Sequence, residues 1–296
     1  MKRSSLISLL VVFGLCSTTQ PAQGQALIPH VLQIESEQLE QQGMILAQEA
    51  AQLAQFQQYS PALVRAQLAS QLLPNNAQVW ALLGSLYLQT RQYSEAIEVL
   101  LRARELDQNN APVLFALGTA YFQEAKYDSA VQYLRAGLRI NPETPGALFD
   151  LGNAYYRLNR YEEAIEQYEK AVKLDEKFWP AVNNIGLVRY EQGEIEAALD
   201  YWRQAVEIDA NQAEPQLALA VGLYAQGETE EALRLGEAAL RLDARYADLE
   251  FLEQNLWGSQ LLTQAREFLA LPQIRETVAQ QTRVAPTPGA PPATPQ

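Results

Sequence analysis

The chain has 296 residues, 48% of them apolar, and a formal net charge of −13. That balance repels a phosphate backbone or an anionic lipid surface, so nucleic acid is excluded as an expected partner. One cysteine and one histidine provide neither an intrachain disulfide nor a thiolate–imidazole cluster, so no metal and no cofactor are expected.

At the N-terminus, Lys2 and Arg3 precede an apolar run from Leu6 to Cys16. Ala22-Gln23-Gly24 then places small residues at the −3 and −1 positions of a cut before Gln25. As a helix, the run would span only about half of a bilayer's hydrocarbon core. Residues 1–24 are therefore expected to be a cleaved signal peptide delivering the chain to a periplasm or lumen. The alternative is an uncleaved membrane anchor. Leu15 stands where a lipid-modified cysteine is usually preceded by a small residue, which argues against lipidation of Cys16. Residues 25–42 hold Leu32, Ile34 and Leu39 among polar residues and are expected to form an arm with a helical cap.

From residue 43 the chain repeats. Ala62, Ala96, Ala130, Ala164, Ala198 and Ala232 follow one another at intervals of 34. Ala69, Ala103, Gly137, Ala171, Ala205 and Ala239 form a second column of small residues. Ala50, Gly84, Gly118, Gly152, Gly186 and Ala220 form a third. Small residues let antiparallel helices approach closely, and large residues of the facing helix fill the space above them. Those large residues are in phase as well, as in Trp80, Leu83 and Tyr87 or Leu148, Leu151 and Tyr155. Pro74 and Pro142 are read as closing two of the second helices. The repeats run 43–76, 77–110, 111–144, 145–178, 179–212 and 213–246. The end repeats drift from the pattern, with Gln216 and Gly236 at usually bulky sites of the last, as terminal repeats commonly do.

Residues 247–271 continue at helical spacing and are expected to form two short helices capping repeat six. Residues 272–296, ending in VAPTPGAPPATPQ, are expected to be a Pro-rich disordered tail.

The W-x2-L-G-x2-Y stretch from Trp80 to Tyr87, followed by Ala96 and Ala103, resembles the tetratricopeptide repeat family. The resemblance implies an all-α, right-handed solenoid of helix-turn-helix repeats whose first helices line a concave groove. It implies a scaffold that binds proteins or peptides there. In the family, positions 2, 5, 9, 12 and 13 of a repeat usually face the groove. Here position 12 carries Leu88, Phe122, Tyr156, Tyr190 and Tyr224. Position 5 carries Phe115, Phe149 and Asn183, and position 9 carries Asn153 and Leu187. Asn153 and Asn184 also fall where clamps for chaperone C-terminal carboxylates place asparagines. The basic partners of such a clamp are replaced by Phe149, Glu214 and Ala218, so an acidic tail is not expected. The aromatic stripe suits an apolar or aromatic peptide, with the asparagines free to pair with its backbone. Local packing between helices is the other reading of the same stripe.

No residue is assigned a catalytic role. His30 lies outside the repeats, no H-E-x-x-H, G-x-S-x-G or phosphate-binding loop is present, and Glu162-Glu163 and Glu230-Glu231 sit at helix starts, where negative charge is favourable. The whole layout resembles secreted tetratricopeptide proteins of cyanobacteria. Some related proteins act in photosystem or thylakoid assembly, which implies peripheral association with a membrane complex as an alternative role, docking through the outer face.

Overall fold

A computed structural model describes residues 36–284. The expected signal peptide, the arm up to residue 35 and the last twelve residues of the expected tail lie outside it.

Six helix pairs follow one another in the expected register. The first helices are α1 (Ser36–Gln55), α3 (Ala77–Gln89), α5 (Ala111–Gln123), α7 (Pro145–Arg157), α9 (Trp179–Glu191) and α11 (Ala213–Ala225). The second helices are α2 (Tyr59–Leu72), α4 (Tyr93–Leu106), α6 (Tyr127–Ile140), α8 (Tyr161–Leu174), α10 (Ile195–Ile208) and α12 (Thr229–Leu242). The structure is an all-helical solenoid, with no strand among the described residues.

The turn inside each pair requires a left-handed residue. Gln57, Arg91, Ala125, Asn159, Gly193 and Gly227 all have φ between 55° and 89°. In the second pair Gln92 N–H donates to Tyr87 C=O at 2.9 Å and Arg91 N–H to Leu88 C=O at 3.0 Å. These bonds satisfy carbonyls that the end of α3 would otherwise leave unpaired. Only the fifth and sixth turns use glycine, the residue that adopts this conformation without strain. Asn76 and Asn110 cap the N-termini of α3 and α5 with their side-chain oxygens.

The small-residue columns explain the packing within a pair. A side chain at Gly84 or Gly118 would collide with Leu100 or Leu134, and one at Gly152 or Gly186 with Tyr168 or Trp202. The knob that sits in the notch therefore grows along the chain, from leucine to tyrosine to tryptophan. In the sixth repeat this column holds Gly236, and the space beside it is filled by Phe268 from beyond the repeats. Gln216, the other drifted site, is buried and donates from Nε2 to the Ala210 carbonyl at 2.6 Å.

First helices of successive repeats approach one another directly from α1 to α9, while the second helices stand further apart. The first helices thus line the inner side of the curve.

Both ends differ from expectation. The N-terminal cap is not a separate element: residues 36–42 extend the first helix of repeat one. At the C-terminus a short 3-10 turn (Ala244–Ala247) leads to α13 (Leu249–Gln254), α14 (Ser259–Leu269) and a third helix, α15 (Pro272–Val284). Residues 272–284 are therefore helix and not tail. Pro272 occupies the first helical position, where its missing N–H costs nothing, and Ile274 and Thr277 are buried. Of the C-terminal helices, α15 packs on α12, closing the end of the solenoid. In contrast, α14 turns back and lies across α9 and α11.

Candidate protein-binding groove

The eleven residues read from the sequence as groove lining divide between two environments. Along α3, α5 and α7 the inner face is open. Leu88 is half-buried there, as are Phe122, whose ring centroid lies 5.4 Å from that of Tyr127, and Phe149, 5.5 Å from Phe178 in an edge-to-face contact. Phe115 is different, because its ring is lodged over Gly137 between α5 and α6, so it is packing. Tyr156 also turns inward: it is 7% exposed, against Tyr161 at 5.8 Å.

Along α9 and α11 the inner face is covered. Asn183, Asn184, Leu187 and Tyr190 are buried, Tyr190 lying 5.6 Å from Trp202. Tyr224 is half-buried beneath Phe268 at 5.5 Å. Here α14 supplies Leu261, Ala265 and Phe268, each at most 1% exposed, with Phe268 reaching on to Gly236 of α12. Burying a leucine or phenylalanine side chain contributes about 1.5–3 kcal/mol. The expected availability of these residues to a peptide is thus corrected, because the chain's own C-terminus occupies their surface.

The asparagines are also committed. Asn183 Nδ2 donates to Asn184 Oδ1 at 3.1 Å, and Asn184 Nδ2 donates to Asn153 Oδ1 at 3.0 Å. Asn153 Oδ1 also accepts from the Tyr168 hydroxyl at 2.8 Å. This ladder crosses from α7 to α9 and ties the floor together. Asn183 and Asn184 are buried beneath the cover, and of the three only Asn153 is half-buried.

Sequence reasoning missed the polar seam that holds α14. Glu191 ends α9 and accepts from the Gln260 and Leu261 backbone N–H groups at 3.1 and 3.2 Å. Its carboxylate caps the N-terminus of α14, where negative charge opposes the helix dipole. Gln260 Nε2 donates back to the Glu191 carbonyl at 2.9 Å. Arg157 Nη2 donates to the Glu253 carbonyl at 2.8 Å, joining α7 to α13. The signal for the cover is slight: in α9 and α11 the apolar residues are not gathered on one face, but α9 also carries Asn183, Asn184, Arg189 and Glu191.

Beneath this cover lies Glu214. Burial pushes its carboxyl from the ordinary 4.5 up to about 7, with neighbouring Trp257, Asn183 and Tyr246 opposing the shift. The Tyr246 hydroxyl donates to Oε2 at 3.4 Å, and the Trp257 indole and Asn183 amide lie beside the carboxyl. In the open half, burial raises Asp150 to about 6, and the Thr119 hydroxyl donates to it at 3.0 Å. Among the described residues no group of His, Cys, Asp or Glu is placed to hold a metal ion, and no helix is long and apolar enough to cross a membrane.

A curved array of helix pairs with an inner face of this kind is a helical-repeat interaction scaffold. Tetratricopeptide-repeat models match residues 115–177 and 183–247, and a second model of the same repeat matches 84–124. Together they cover more than half of the chain, which belongs to the tetratricopeptide repeat family. Among solved structures, PilF of Pseudomonas aeruginosa is similar with a TM-score of 0.60 and 20% identity, over 74% of this chain and 98% of that one. A MamA protein gives a TM-score of 0.53 and 25% identity, over 58% of this chain and 94% of that one. YrrB, described as a tetratricopeptide protein with an unusual peptide-binding site, gives 0.50 and 19%, over 68% and 97%. No curated protein matches the chain.

Proposed function

We propose that the chain is a non-enzymatic scaffold acting outside the cytoplasm, and that it binds an apolar or aromatic peptide segment along the open inner face of α3, α5 and α7. The supporting observation is that Leu88, Phe122 and Phe149, packed at the edge of the core, stay partly exposed there. Stiff aromatic surface with a few polar neighbours, such as Asn153 and Thr119, is what a peptide-binding face offers. The acidic net charge of −13 favours partners without strong negative charge.

The test uses apolar peptides selected from a random library on the purified full chain. Leu88→Asp with Phe122→Asp is expected to weaken their binding at least about tenfold, or ~1.4 kcal/mol, with helical circular dichroism retained. Unchanged affinity in the folded variant would move binding to the outer face, as in an assembly factor docking on a larger complex. Export is checked by sequencing the mature N-terminus, which should begin at Gln25; an intact Met1 refutes cleavage.

A further inference from the structure

Taking the inner face as the binding surface, we propose that its covered part, on α9 and α11, is a receptor for an amphipathic helix. In this arrangement α14 fills the receptor in cis, and a helix from a partner protein with the same apolar spacing displaces it.

The seat is shaped for a helix and not for an extended strand. Leu261, Ala265 and Phe268 stand at i, i+4 and i+7, the spacing by which helical ligands anchor in grooves, and all three are buried. The opposite side of α14, with Thr263, Arg266 and Glu267, faces solvent. Glu191 accepts two consecutive backbone N–H groups from the first turn of α14. Consecutive free N–H groups pointing one way are a property of a helix N-terminus. The first turn of α14 has no acid of its own, so the favourable negative charge comes from the groove. The partner helix is therefore expected to lack Asp and Glu in its first turn.

The same structure shows why α14 can leave. Among the described residues at this seam, Arg157 Nε is buried without a hydrogen-bond partner, and the Glu214 carboxyl is buried with only Trp257, Asn183 and Tyr246 around it. Closure thus keeps a carboxyl and a guanidinium nitrogen out of water at this seam, an unfavourable condition that opening relieves. The polar anchors on the seat are confined to Glu191 and the Arg157–Glu253 bond, whereas the apolar stripe can be reproduced by any helix of the same pattern.

The probe is a labelled synthetic peptide of residues 258–271, GSQLLTQAREFLAL, titrated into the full chain. In the wild type the tethered α14 competes at high effective concentration. Leu261→Asp with Phe268→Asp in the full chain ejects it, and this variant should bind the peptide at least about tenfold more tightly than wild type. Adding Glu191→Ala to that variant should weaken binding about fivefold, by removing the cap. A folded, opened variant that does not bind the peptide overturns the proposal. Should the variant lose helicity, hydrogen exchange on the wild type decides: saturating peptide should speed exchange of the chain's own α14 amides, and unchanged exchange overturns the proposal. Wild type that elutes as a dimer with exchanged C-terminal helices overturns it in favour of a second copy. Leu88→Asp with Phe122→Asp should leave this binding intact, so failure here and failure of the open-face reading are separately visible.

Discussion

The inner faces of α3, α5 and α7 on one side and of α9 and α11 on the other occupy equivalent places in equivalent repeats, yet they have different fates. In the first group the position-12 side chains Leu88 and Phe122 stay half-buried, although Tyr156 of α7 is buried against Tyr161. In the second, Tyr190 is 3% exposed and every residue of α9 from Ala181 to Val188 is buried. The repeat register does not differ between them. What differs is α14, which arrives from about seventy residues further along the chain to reach Glu191. Position within a repeat therefore assigns a residue to the inner face, but not to solvent.

The largest effect that tests this contrast is a matched pair of truncations. Phe268→Ala empties a fully buried site against Gly236 and Tyr224 and should cost about 3–5 kcal/mol. Phe122→Ala, in the open half, should cost only about 1 kcal/mol. Urea denaturation of both variants measures the difference, and equal losses would mean the two halves are covered alike.

Next comes the pH dependence of the covered half. Glu214 has a folded carboxyl at about 7 against an ordinary 4.5, so the folded state holds its proton over a range where the unfolded chain has released it. Its contribution is fully present below 4.5 and is lost as pH rises through 7. The loss is on the order of 3 kcal/mol. Glu214→Gln keeps the shape, removes the titration and should flatten the stability profile between these limits. A wild-type profile already flat there would show that Glu214 is solvated.

The smallest effect concerns the turns. Arg91, in the open half, and Gly193, in the covered half, share one left-handed turn position. Arg91→Gly should stabilise by up to about 1 kcal/mol, and Gly193→Ala should destabilise by a similar amount. Thermal melts of the two variants should shift in opposite directions.

Much of the fold was legible in single columns of residues. The alanines at intervals of 34 located every pair of helices, because the close approach of two helices admits only a small side chain at a fixed place in each pair. Gly236 and Gln216 were legible as departures, but not their purpose. Phe268 fills the one space and the Ala210 carbonyl answers the other. Pro272 was read as the start of the tail because proline usually ends helical patterns, whereas at the first helical position it begins one. The asparagines Asn183 and Asn184 were read as ligands for a peptide because an amide has both a donor and an acceptor. Asn184 uses both, accepting from Asn183 and donating to Asn153.

By itself the sequence determined the repeat, its period, the facing of small residues to large ones, and the acidic balance, since each follows from local geometry or composition. Tertiary structure alone decided which part of the inner face is free. That outcome depends on where α14 packs, and a hydrophobic stripe records only that it must be covered, not by what.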